Sequence, residues 1–226
     1  MEEWNIIWQQ KELFASGFVT TLNLFVSSSI LSFIIGISLL YCLENHCSSN
    51  SRLGVKYTIN SLIGIMRTLP FLILAYLLYY GLPQVGIRLD ATTAGIIALS
   101  LYHGTYFCEI FRGVRKGLEP GYIEAAHAYG FSKFKTFTRV ITPNVLFKSV
   151  PLITNQLIIC LKDTAFLSII TVAEITAAAN SIQSTYFIPL NAFIIAIALY
   201  WAVSIALETI TKRIQTKVEL RGLSHA

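Results

Sequence analysis

Four ionisable side chains interrupt otherwise apolar stretches of this chain: Arg67, Glu109, Lys162 and Asp163. At the depth of a hydrocarbon layer such a charge costs about 2.5–3.5 kcal/mol on insertion scales, so it turns toward protein interior or a watery cavity. Adjacent on a helix, Lys162 and Asp163 point about 100° apart and cannot neutralise one another face to face. Each then reaches a separate partner, either the carboxylate or ammonium of a small zwitterion or a salt-bridge network that ties helices together. Asn155 and Gln156, about two turns earlier, add polar surface to the same segment. Arg67 is followed by Thr68 and Pro70. The proline removes a backbone donor and disfavours helix at Leu69, which frees carbonyls and amides beside a guanidinium. Broken helices at membrane depth are tolerated where they line a cavity. Three uses of Arg67 stay open: a bidentate grip on a carboxylate, snorkelling to the interface, or pairing with Glu109. Tyr102, His103 and Tyr106 share part of one face of the run bounded by Glu109, for which ordinary helix packing is the favoured explanation.

These groups need a membrane around them, and the composition supplies one. The 226 residues are 54% hydrophobic and 13% charged, with a mean hydropathy of +0.63, against about 45–50% apolar and about 25% charged in soluble domains. Soluble enzyme folds are excluded by several apolar runs of about 18 residues or more. Five such runs are visible, at 13–43, 58–80, 91–108, 145–172 and 189–207, the last opened by Pro189. The expected fold is an all-α integral membrane protein with five transmembrane helices, a single domain over 1–226.

Orientation follows from the 17 Lys and Arg residues. With five spans, all of them except Lys11, Arg67, Arg88 and Lys162 fall on one side, concentrated at Arg112, Arg115, Lys116, Lys133, Lys135, Arg139 and Lys148 and at Lys212, Arg213, Lys217 and Arg221. By the positive-inside rule the 112–144 loop and the C-terminus are cytoplasmic and the N-terminus is outside. Residues 1–14, with Trp4, Ile7, Trp8 and Phe14, read as an amphipathic segment in the outer interface, a flexible tail being the alternative. Glu2 and Glu3 stand where a signal peptide has basic residues, so the first run is expected to be a retained anchor.

Chemistry of other kinds finds no support. Cys42, Cys47, Cys108 and Cys160 form no C-x-x-C pair and three sit in or beside apolar stretches, so neither metal nor disulfide is expected. His46, His127 and His225 fall on the solvent side without an inferred role. No H-E-x-x-H, G-x-S-x-G or paired intramembrane aspartates point to a membrane enzyme, and no catalytic residue is assigned. The net charge of +5 lies in loops facing the membrane surface and does not call for nucleic acid. A G-x-x-x-x-G-K-[ST] phosphate loop is absent from the sequence, so any ATP chemistry belongs to another chain.

The 119–143 stretch is polar and basic yet helically periodic. Pro120 opens a first helix, Glu124 lies in its early turns, and Gly130 supplies a left-handed stop after Ala125, Ala126 and Ala128. Ser132 caps a second helix with Phe134, Phe137, Val140 and Ile141 on one face, and Pro143 turns the chain toward the membrane. The result is a helical hairpin, either a solvated cover or a knob for a partner protein.

Glu124-Ala125-Ala126, then Gly130, Val140 and Thr142-Pro143 at complete spacing, resembles the EAA loop of ABC importer permeases. Thr20-Thr21-Leu22, Arg67-Thr68-Leu69-Pro70, Tyr106 to Arg112 (Y-x-x-E-x-x-R) and Leu161-Lys162-Asp163-Thr164 resemble further elements of its polar amino acid branch, in the same order over about residues 17–175. Thr68-Leu69 stand where the family has Gly-Thr, Tyr122 where it has Gln, and Ala165-Phe166 where it has Ser-Leu. The resemblance implies a type I importer permease in the cytoplasmic (inner) membrane that carries an amino acid by alternating access. It further implies an ATPase subunit dimer using ATP and Mg, a second permease, identical or homologous, and an extracytoplasmic binding protein. Glu124, Ala125, Ala126, Gly130 and Pro143 would couple to the ATPase. Arg67, Thr68, Pro70, Tyr106, Glu109, Asn155, Gln156, Lys162, Asp163 and Thr164 would line the pathway. A secondary carrier and a non-transporting scaffold remain the alternatives.

Overall fold

The computed structural model describes residues 2–45 and 50–219; His46, Cys47, Arg221 and His225 lie outside them. Among the described residues every regular element is helical. A short α1 (Glu2–Gln9) precedes α2 (Lys11–Asn45), whose long apolar sequence lacks any interior charge between Glu12 and Glu44. Then come α3 (Asn50–Thr68) and α4 (Phe71–Tyr76), separated at Leu69-Pro70 as the proline demands. Pro70 itself is extended, at φ −62° and ψ 132°. A π turn (Leu77–Gly81) and a 3₁₀ turn (Leu82–Val85) carry the chain to α5 (Ala91–Lys116). The remaining helices are α6 (Pro120–Ala128), α7 (Lys133–Thr136), α8 (Thr142–Asp163), α9 (Ile175–Tyr186) and α10 (Pro189–Glu219).

Among the described residues, three stretches are long and apolar enough to cross a membrane: Lys11–Glu44, Lys133–Ile170 and Pro189–Thr216, with mean hydropathies of 2.1, 1.4 and 2.2. A fourth span is available if Gly54–Thr68 and Phe71–Val85 act together as one broken span. The 91–108 run is helical within α5 but does not reach the same apolarity. It carries Thr92, Thr93, Ser100, His103 and Thr105, which lower its mean hydropathy.

The chain divides into two compact units. One comprises Met1–Ile30, Leu69–Ser100 and Leu157–Leu207. Its core joins Ile7 and Phe14 to Ile175, Ala178, Ala179 and Ile182 of α9 and to Ala192 and Ala196 of α10. So α1 is packed and not a loose tail: Ile7 is buried while Trp4 and Trp8 stay exposed, and Gln10 donates to the Tyr186 hydroxyl at 3.1 Å. Cys160 is buried with its Sγ 3.7 Å from Ser28 Oγ, as a small apolar side chain would be.

The other unit comprises Leu31–Thr68, Leu101–Gln156 and Glu208–Ala226. Here Leu43, Ile63 and Cys108 form a buried cluster, and Phe33 meets Phe107 and Phe111 edge-on with ring centres 6.1 and 5.5 Å apart. Such pairs add about 0.5–1.5 kcal/mol beyond their buried area. Gly36 and Gly104 let α2 and α5 approach closely; a Cβ on Gly36 would sit 2.7 Å from Phe107 Cβ, and one on Gly104 2.7 Å from Ile35 Cγ2.

Candidate functional site: two polar clusters and an exposed hairpin

In the second unit, α3 and α5 hold an ionic cluster. Glu109 Oε2 is 2.8 Å from Arg112 Nη2 and 3.3 Å from Arg67 Nη1. Arg112 donates its other terminal nitrogen to Asn60 Oδ1 at 2.8 Å. The Arg67 guanidinium lies 5.5 Å from the centre of the Tyr106 ring, whose hydroxyl donates to the Arg67 carbonyl at 3.4 Å, and Tyr102 and Tyr106 bring their hydroxyls to 3.4 Å. The structure thus places Arg67, Tyr106 and Glu109 together. Thr68 turns its hydroxyl back on its own helix, to the carbonyls of Gly64 and Ile65 at 3.0 Å each. This is the ordinary back-bonding of a helical threonine to the carbonyls three and four residues before it.

Also in this unit, Gln156 is buried with its Nε2 2.7 Å from Nδ1 of the fully buried His103, whereas Asn155 is exposed. These two adjacent amides therefore do different work. Asn60 and Arg112 are members of the cluster that the sequence does not single out as such; Asn60 is an ordinary polar residue on α3, and only the fold brings it to a residue 52 positions later.

In the first unit, Lys162 and Asp163 end α8, and the chain tightens into a 3₁₀ stretch over Thr164–Ile170. They stand at a helix end, not at the middle of a uniform span, and the turn closes with Thr171 in the left-handed region at φ 68°. Thr164 is buried and donates to Leu161 O at 2.6 Å. Exposed Lys162 lines a cavity of about 450 Å³ with Ala165, Thr176, Tyr200, Trp201 and Ser204 among its walls.

The hairpin lies within the second unit. Pro120 is the first residue of α6 and Gly130 takes φ +70°. Gly130 N–H bonds to His127 O at 2.9 Å and Phe131 N–H to Ala126 O at 3.0 Å, the paired closure of a Schellman motif. Ser132 Oγ accepts the Lys135 N–H at 3.3 Å and caps α7. Ala126 is buried, whereas Glu124, Ala125 and Tyr129 are exposed. Phe137 and Ile141 are buried, with Phe137 4.9 Å from the Tyr41 ring, but Phe134 remains 62% exposed, so the expected apolar face is only partly covered. Arg115 Nη2 lies 3.0 Å from Glu44 Oε2.

One expectation is corrected. Pro143 does not turn the chain; helical structure runs through it from Lys133 into α8. The reason is a π turn over Phe137–Ile141, in which Thr142 N–H reaches back to Phe137 O. The hydrogen-bond register slips by one residue just before Pro143, where the missing proline N–H costs least.

Residues 49–220 match the family described as binding-protein-dependent transport system inner membrane component. The probable glutamine ABC transporter permease protein GlnP of Bacillus subtilis is 30% identical over 89% of this chain and 91% of that protein. The nopaline transport system permease protein NocM of Agrobacterium fabrum is 32% identical over 80% of this chain and 77% of its own. Among solved structures, a chain from an amino acid ABC transporter crystallised with histidines superposes with a TM-score of 0.81 at 28% identity, covering 93% of this chain and 96% of that one. The fold and the family match are those of an ABC importer permease. The chain belongs to the binding-protein-dependent transport system inner membrane component family, and it is a multi-pass inner-membrane protein.

Proposed function

We propose that this permease carries an amino acid into the cytoplasm by alternating access. The observation that carries the reading is the exposed hairpin: a short helix closed by Gly130 at φ +70°, with Glu124, Ala125 and Tyr129 facing outward. A rigid small-residue knob of this kind suits insertion into a groove of a separate ATPase dimer that binds ATP and Mg. Glu124, Ala125 and Gly130 make the contact, the buried Ala126 packs beneath them, and Pro143 transmits it through the continuous helix of α8. Five spans, formed by α2, the broken pair at Pro70, α5, α8 and α10, leave the N-terminus outside and the C-terminus cytoplasmic, which agrees with the basic residues of the hairpin. Residues 1–226 act as one permease domain, with α1 as an outer interfacial anchor. A second permease, identical or homologous, completes the pathway, and an extracytoplasmic binding protein delivers the substrate.

The relatives named for glutamine and amino acids support an amino acid as cargo. Arg67, Thr68, Pro70, Tyr106 and Glu109, together with Asn155, Gln156, Lys162, Asp163 and Thr164, line its route, and charges of both signs suit a zwitterion. ATP is hydrolysed in the partner chain, and this chain serves transport alone.

The test is ATPase activity of the permease co-expressed with its ATPase in liposomes, with each amino acid supplied with the binding protein, for wild type and Gly130→Pro. Stimulation by one amino acid class, lost in the variant, supports the reading. Absence of any associated ATPase, or stimulation that survives the substitution, overturns the importer or the coupling assignment respectively.

A further inference from the structure

Glu174 precedes α9 and has none of its surface exposed. Its two carboxyl oxygens divide three donors. Oε1 accepts the Ala177 N–H at 2.7 Å, and Oε2 accepts the Thr176 N–H at 2.8 Å and the Tyr200 hydroxyl of α10 at 2.6 Å. The two amides are what an N-cap serves, and Asp, Ser or Thr does that with a shorter side chain. The tyrosine is what an N-cap does not need.

The turn has other supports. Ile175 N–H bonds to Thr21 Oγ1 at 3.2 Å, and Gly17 of α2 packs so closely that a Cβ there would lie 3.0 Å from the Glu174 carbonyl carbon. What the carboxylate adds is a grip on Tyr200. That hydroxyl also lies 3.5 Å from Thr164 Oγ1 and 3.4 Å from Thr176 Oγ1. Thr164 directly follows Lys162-Asp163, and Tyr200 is a wall of the cavity of about 450 Å³ that Lys162 also lines.

We propose that Glu174 is a positioning residue for the transported substrate: through the Tyr200 hydroxyl it fixes Thr164 and the cavity wall beside Lys162. The inference rests on the reading of Lys162 to Thr164 as part of an amino acid pathway. A carboxylate is suited to the task because it accepts three hydrogen bonds at once and donates none, which sets the direction of the Tyr200 O–H bond.

The experiment uses the assembled transporter in liposomes with its ATPase and binding protein. The probe is whichever labelled amino acid of a full panel wild type takes up fastest, and the quantity read is uptake per ATP hydrolysed. Tyr200→Phe removes only the hydroxyl and leaves both amide bonds of Glu174 intact; Glu174→Gln exchanges one acceptor for a donor. Each is expected to lower the ratio about fivefold, the scale of one lost hydrogen bond, and the double variant is expected to be no worse than either single one, because both cut the same link. A merely structural role lowers uptake and hydrolysis in step and leaves the ratio at its wild-type value, which overturns the proposal. Multiplying effects in the double variant, or a wild-type ratio for Tyr200→Phe, overturn it too. Should Glu174→Gln fail to accumulate, Tyr200→Phe alone decides. A wild-type transporter that takes up none of the panel removes the pathway reading itself, an outcome distinct from a changed or unchanged ratio.

Discussion

Arg112 Nη2 sits 2.8 Å from Glu109 Oε2, and the same oxygen lies 3.3 Å from Arg67 Nη1. One carboxylate thus answers two guanidiniums. The members differ in solvent access: the Glu109 side chain is 18% exposed, Arg112 31% and Arg67 45%. Removing the shared carboxylate leaves two positive charges facing one another, whereas removing Arg67 leaves Glu109 still paired with Arg112.

Glu109→Ala is therefore expected to destabilise the protein by about 1–3 kcal/mol, between the scale of an exposed pair and that of a buried one. Arg67→Ala is expected to cost less than about 1 kcal/mol. Thermal melts of the purified protein in detergent check the ranking. Equal losses would mean that Arg67 and Arg112 do not share Glu109 in solution.

Packing between α2 and α5 gives a second expectation. A methyl group at Gly36 would meet Phe107 Cβ at 2.7 Å and the Cys108 amide nitrogen at 3.1 Å, and backbone cannot swing aside. Gly36→Ala should cost about 1–3 kcal/mol, as overpacking does. At Gly104 the obstacles are Ile35 Cγ2 and Cβ, at 2.7 and 2.9 Å; the Cβ is fixed by the backbone and a β-branched side chain in a helix is held to one rotamer, so Gly104→Ala should cost a similar amount. Both methyls push the same two helices apart, so the double variant should lose less than the sum. Gly113, where an added methyl would have no heavy atom within 4 Å, is the control on the same helix. Gly113→Ala should gain up to about 1 kcal/mol from helix propensity. Melting temperatures of the four variants test the set.

Local chemistry made part of this legible in sequence. Pro70 acts through its own missing N–H, and Gly130 and Ser132 through their own backbone or side chain, so their places needed little knowledge of the rest of the chain. Pairings across long separations did not show. Asn60 with Arg112 and Glu174 with Tyr200 join ordinary polar residues that only the fold brings together. The 3₁₀ stretch after Asp163 was hidden because apolar side chains continue through it without a change of character. The π turn before Pro143 is hidden likewise, and so the sequence places a turn of the chain at a proline through which the helix continues. As for α9, its 12 residues are too few for a spanning run, and its cap is a glutamate, a residue outside the usual capping set.

Acid conditions should loosen the start of α5. Asp90 Oδ2 accepts the Thr93 N–H at 2.9 Å, and these Thr93 hydrogen bonds hold the Asp90 carboxyl below its ordinary value. A group whose folded value is depressed contributes stability above its unfolded value, about 3.9, and that contribution is lost as pH falls through the lower folded value. Thr93 amide exchange, corrected for its intrinsic pH dependence, should lose protection below about pH 4. In Asp90→Asn, which caps without titrating, the protection should stay level through the same range. A matching acid-induced loss in the asparagine variant would show that another group titrates there.

At Gly130 the available space and the backbone make opposite demands. Nothing lies within 4 Å of a Cβ placed there, so size alone forbids no substitution, but φ is +70°. Alanine in the left-handed region costs about 1–2 kcal/mol, and asparagine much less because its short polar side chain bonds locally. Valine is worse than alanine, being branched at Cβ. Proline cannot adopt the angle at all and also removes the N–H that bonds to His127 O. If the hairpin is the contact with the ATPase, affinity for that partner should fall in the order Gly, Asn, Ala, Val, Pro. Alanine should weaken it by up to about tenfold, as about 1.4 kcal/mol does, because the strain must be met each time the closed hairpin is bound. Titrating labelled ATPase against each variant in nanodiscs measures the series. An order that follows side-chain volume, with asparagine weaker than alanine, would mean that Gly130 is required for the room it leaves to the partner and not for its backbone angle.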